Sequence, residues 1–133
     1  MKTKIVLTEA DTALMLEASV AHAAIQAWAV CIAIVDDGGH LLRFVRLDNA
    51  APASVGIAQA KAESAAIRRR ETLLDEKMVN EGRVSALSMP NITFLEGGVP
   101  IMIEGQCVGA IGVSGVKSSE DAEIAKVGIA ALL

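Results

Sequence analysis

A chain of 133 residues is long enough to bury a core of its own, and it is read as a single domain over residues 1–133. Hydrophobic residues make up 53% of it and aromatics only 2%, so the core is built from Ala, Val, Ile and Leu, and base stacking on an aromatic platform is excluded. A net charge of -4 and a pI of about 5.1 leave no electrostatic footprint for a nucleic acid or an anionic membrane surface.

At the N-terminus, the apolar run Ile5-Val6-Leu7 breaks into Thr8-Glu9, too short for the apolar region of a signal peptide. No later run approaches the roughly 18 apolar residues of a membrane span. Thr8-Glu9-Ala10-Asp11 is a capping pattern, and a helix is expected from there to about Gln26, with Leu14, Ala18, Ala21 and Ile25 as its buried stripe. His22 falls at the margin of that stripe. It reads either as a hydrogen-bonded core histidine or as a ligand.

From Trp28 the period changes. The run Ala29-Val30-Cys31-Ile32-Ala33-Ile34-Val35 is apolar on both faces, as a central strand is. Asp36-Asp37-Gly38-Gly39 is a turn signal, and His40 to Leu47 returns as the hairpin partner. The paired aspartates are explained by turn chemistry before catalysis. His40 sits at the turn end as an exposed histidine, with general acid or base as its functional reading.

Asp48 to Ser54 is a loop, and Val55 to about Arg70 an Ala-rich helix whose Arg68-Arg69-Arg70 end complements the helix dipole. Lys61 lies within it, and a helix lysine is ordinarily solvated. Thr72 to about Met89 shows only short helical turns and loop. Pro100 to Ile103 and Cys107 to Val113 form a second hairpin, and Ser118-Ser119-Glu120-Asp121 caps a last helix carrying Ile124, Val127 and Ala131. The order helix, hairpin, helix, hairpin, helix gives an α+β fold with an antiparallel sheet.

Cys31 and Cys107 fall among Val, Ile and Ala and read as small buried hydrophobes in a reducing, cytoplasmic setting. With two histidines and no paired-cysteine motif, a structural zinc site is disfavoured, and no serine stands in a Gly-x-Ser-x-Gly elbow. Gly112 to Ser119 is a strand-to-helix junction rich in backbone amides. With Lys117 it can bind an anion, or it serves only packing and capping by Ser118. Gly97 and Gly98 lead into Pro100, where proline suits a strand start.

Four ordered blocks carry a resemblance: Val35-Asp36-Asp37-Gly38-Gly39-His40-Leu41, then Arg46-Leu47-Asp48 with the helix around Lys61-Ala62, then Gly97-Gly98-Val99-Pro100-Ile101, and Gly109-Ala110-Ile111-Gly112-Val113-Ser114-Gly115. In these the chain resembles the GlcG/HbpS-like family, also called the haem-degrading domain family, over nearly its whole length. The resemblance implies a five-stranded antiparallel sheet flanked by helices, assembled into a homo-oligomer. It also implies haem as cofactor, with His22 matching the family's histidine on the first helix. Lys61, Arg68, Gly97, Gly98, Ser114 and Lys117 would surround such a tetrapyrrole or another small-molecule ligand. The competing reading is a cofactor-independent small enzyme or accessory protein acting on an acidic metabolite, with Lys61 as charge clamp and His40 as acid or base.

Overall fold

The computed structural model describes all 133 residues. Helix α1 spans Glu9–Gln26, followed by β1 (Cys31–Asp36), β2 (Leu41–Arg46), α2 (Ala53–Arg68), α3 (Thr72–Asn80), a 3-10 turn (Val84–Ser88), β3 (Gly98–Ile103), β4 (Gln106–Ser114) and α4 (Ser118–Leu132). The strands form one antiparallel sheet in the order β2-β1-β4-β3.

This sheet has four strands, not the five that the resemblance implied. The chain carries four runs of strand pattern in two hairpins. The N-terminal segment ahead of α1 stays outside the ladder: the Ile5 amide donates to the Gln106 side-chain oxygen at 3.1 Å, while Ile5 and Leu7 pack on the core.

Alternation along β1 assigns its side chains to the two faces of the sheet. Ile32 and Ile34 join Ile111 and Val113 under α1 and α4, with Met15, Ala23, Ile124 and Ile129. Cys31, Ala33 and Val35 face the other way and meet Ala58, Ala62, Ala65 and Ala66 of α2. Alanine on α2 matches glycine on β4: a side chain at Gly112 would lie 2.2 Å from the Ala58 carbonyl oxygen. The helix can therefore rest directly on the strand backbone.

Helix α1 is turned relative to its expected stripe. Thr12, Met15, Ser19 and Ala23 are its buried residues, while Leu14 and Ile25 are exposed. The Ser19 hydroxyl donates to the Ile124 carbonyl at 2.9 Å and lies where Gly128 of α4 has no side chain. Polar Thr12 and Ser19 thus occupy the inner face, which apolar periodicity alone does not select.

Helix α2 ends at Arg68, two residues before its expected limit. Arg69 closes it in the left-handed region at φ 57, and its guanidinium donates to the Ala66 carbonyl. At the other end of the chain, Lys117 takes the cap position that the sequence assigned to Ser118.

Candidate functional site

His22 emerges from the C-terminal part of α1 toward α4. Its Nε2 lies 2.7 Å from Glu123 Oε2, and its ring meets Trp28 edge-on at a centroid distance of 6.0 Å. The imidazole is 22% exposed and its carboxylate partner 52%. It is therefore a half-buried, oriented histidine, with Ile25 one helical turn further on exposed to solvent. The sequence does not single out Glu123. Glu123 lies 101 residues from His22, and no local pattern links them.

Beside this pair runs a groove of about 510 Å³, lined along α4 by Ser119, Glu123, Lys126, Val127 and Ala130, with Glu96 at its edge. Lys126 reaches Glu71 at 3.2 Å on this exposed face.

Lys61 is not solvated as expected. It is buried, and its ammonium donates to the Val113 carbonyl at 3.0 Å and to Asp121 Oδ2 at 3.1 Å. Burial pushes the Asp121 carboxyl above its usual range, against the pull of the Lys61 charge and of the Val116 amide that it accepts at 3.2 Å. Gly97 belongs to the same arrangement. With φ +133 it has no side chain to collide with the Lys61 ammonium, which a Cβ there would approach to 2.7 Å. Gly98 packs equally closely on the Lys61 carbonyl, and its amide donates to Thr72 Oγ1 at 2.9 Å.

The junction from Gly112 to Ser119 is occupied from within. Asp121 accepts the Val116 amide and Glu120 the Lys117 amide at 3.3 Å, so the chain's own carboxylates take two of the amides expected to hold an external anion. Ser114 is buried and pairs with Ser54 at 3.4 Å.

Arg68 is engaged as well. It donates to Asp75 through Nη2 at 3.0 Å, and the Asp75 carboxylate is fully buried. His40 stands exposed beyond Asp36, whose carboxylate accepts the amides of Gly38 and His40. Lys61, by contrast, bonds Val113, which pairs with Ile32 near the other end of β1. The structure does not bring the supposed clamp and base together, and the clamp's charge is already matched.

No group of three or more His, Cys, Asp or Glu side chains is arranged to hold a metal ion, and both cysteines are free, Cys31 buried and Cys107 half-buried. No helix is long and apolar enough to cross a membrane.

Comparison with known proteins agrees with this architecture. The family model described as "Haem degrading protein HbpS-like" matches residues 7–130. Protein GlcG of Escherichia coli strain K12 is 46% identical over 114 residues, which span 86% of this chain and 85% of GlcG. Among solved structures, a double mutant of Streptomyces reticuli HbpS superposes with a TM-score of 0.92 at 29% identity, covering 100% of this chain and 91% of that one. A PduOC:heme complex superposes with a TM-score of 0.87 at 25% identity, covering 96% and 95%. By the extent of the family match and the identity to GlcG, the chain belongs to the HbpS-like family.

Proposed function

We propose that this protein binds haem or a related tetrapyrrole, with His22 as the axial ligand to iron. The observation that carries the reading is the setting of His22: a half-buried imidazole on an apolar helix, with one ring nitrogen held by Glu123 and the ring braced by Trp28. With Nε2 held by Glu123, the nitrogen left for iron is Nδ1, and a histidine whose other nitrogen meets a carboxylate is oriented and made a stronger metal ligand. Support also comes from the relatives, since one neighbour of the same fold was solved as a heme complex.

The residues around His22 fit such a group in kind. Ile25 offers exposed aliphatic surface on the same helix, and Lys126 is a cation on the outer face of α4 near Glu123. Lys61 and Arg68 are committed to the buried Asp121 and Asp75, so propionate pairing passes to exposed cations such as Lys126, whose pair with Glu71 lies at the surface. Bound haem would supply the iron chemistry. The chain's part is to orient one imidazole nitrogen and to shield the porphyrin edge with aliphatic side chains.

Haemin titrations of two variants test the assignment. His22→Ala should lose the Soret shift and regain it when free imidazole is added, while His40→Ala should titrate like the parent protein. An unchanged shift in His22→Ala overturns His22 as ligand.

A further inference from the structure

Five of the twelve lysines and arginines fall between residues 68 and 83. Two are committed internally: Arg68 to Asp75, and Arg69 to the carbonyls of Asp37 and Ala66. The other three, Arg70, Lys77 and Arg83, line one cleft of about 480 Å³ together with Leu74, Met78 and Glu81.

The arginine at the head of this cleft is anchored from below. Arg70 Nε lies 3.3 Å from Asp75 Oδ1, and that carboxylate is fully buried and shared with Arg68. Yet Arg70 Nε is the single buried side-chain polar atom of the chain without a hydrogen bond. A guanidinium carries five N–H donors, so the side chain is fixed in place with donors left over. Lys77 and Arg83 take part in none of the chain's ion pairs.

Three cations against the one carboxylate of Glu81 leave an excess of positive charge in the cleft, in a protein whose net charge is -4. The excess suits a ligand with at least two negative charges. Two guanidinium forks match the planar, two-oxygen geometry of carboxylates, and Leu74 and Met78 give a carbon skeleton an apolar floor.

We propose that the Arg70–Lys77–Arg83 cleft binds a small di- or tricarboxylate. Neither Lys61, which is closed off by Asp121, nor His22 takes part, so the site stands or falls separately from haem binding. Asp75 positions Arg70, and Glu81 sets the charge that the ligand must bring.

Calorimetric titration of the whole protein at low ionic strength tests this, with citrate and succinate as probes and inorganic phosphate as the comparison anion. Citrate should bind saturably at one site per chain. Lys77→Ala with Arg83→Ala should weaken it by about tenfold or more, as loss of charge-assisted hydrogen bonds does. Glu81→Gln should tighten it, and His22→Ala should leave it unchanged. Both exchanged cations are exposed or at the end of α3, and an unchanged circular dichroism spectrum will show that the double variant is folded. Absence of saturable citrate binding, or equal affinity in the double variant, overturns the site. Phosphate binding as tightly as citrate overturns the carboxylate assignment.

Discussion

Two acceptors on different elements receive the buried Lys61 side chain, the Val113 carbonyl of β4 and the Asp121 carboxylate of α4. Removing one member of such a pair strands the other. Lys61→Met should cost about 3–5 kcal/mol in urea unfolding, and adding Asp121→Asn should recover a substantial part of that loss. A double variant no more stable than the single one would show that Lys61 acts through packing alone. The pH dependence has a definite sign. Burial already holds the Asp121 carboxyl high, and the Lys61 charge opposes this. Without Lys61 the folded variant binds its proton more tightly than the unfolded chain does, so its deficit relative to the parent protein is largest at neutral pH and shrinks as the pH falls. Nothing near Lys61 in the sequence announces this burial, because Asp121 lies 60 residues away. His40, by contrast, was legible: a histidine at the end of an Asp-Asp-Gly-Gly turn is exposed, as found.

The elements were legible where their signals are local. Turn residues bounded both hairpins, and the unbroken apolar run of β1 matched a strand covered on both faces. The Thr8 start of α1 is a full capping box: Asp11 N–H donates to Thr8 Oγ1 at 3.2 Å, and Thr8 N–H to Asp11 Oδ2 at 2.8 Å. These bonds hold the Asp11 carboxyl below its usual range, so its contribution is present above about pH 4 and is lost as the pH falls through its lowered folded value. Asp11→Ala should therefore lower the melting temperature at neutral pH, with the gap to the parent protein closing in acid. A gap independent of pH would contradict the capping account. What was not legible depended on polar groups buried through distant partners. In α3 the buried residues are Thr72 and Asp75, engaged by Gly98 and by Arg68 and Arg70, so the helix shows no apolar stripe. Close backbone approach was also hidden. Gly112→Ala should destabilise the fold by about 1–3 kcal/mol or more, since α2 would have to lift from β4; an unchanged urea midpoint would contradict direct seating of the helix on the strand.

Across the whole molecule, apolar side chains remain at the surface well beyond the core: Ile25 is 80% exposed, Val84 63% and Leu87 56%, and Leu14 and Leu95 are exposed too. With a mean hydropathy of +0.47, that pattern is expected of a chain that associates with copies of itself. Light scattering at micromolar concentration should give at least a dimer, and a monomer mass would contradict this. None of the four surface clefts is lined by His22. The most direct measurement is the absorption spectrum of the purified protein with one equivalent of haemin. The account predicts a Soret band shifted from that of free haemin and saturating at a fixed ratio per chain. A spectrum that superposes on free haemin at every ratio would contradict it.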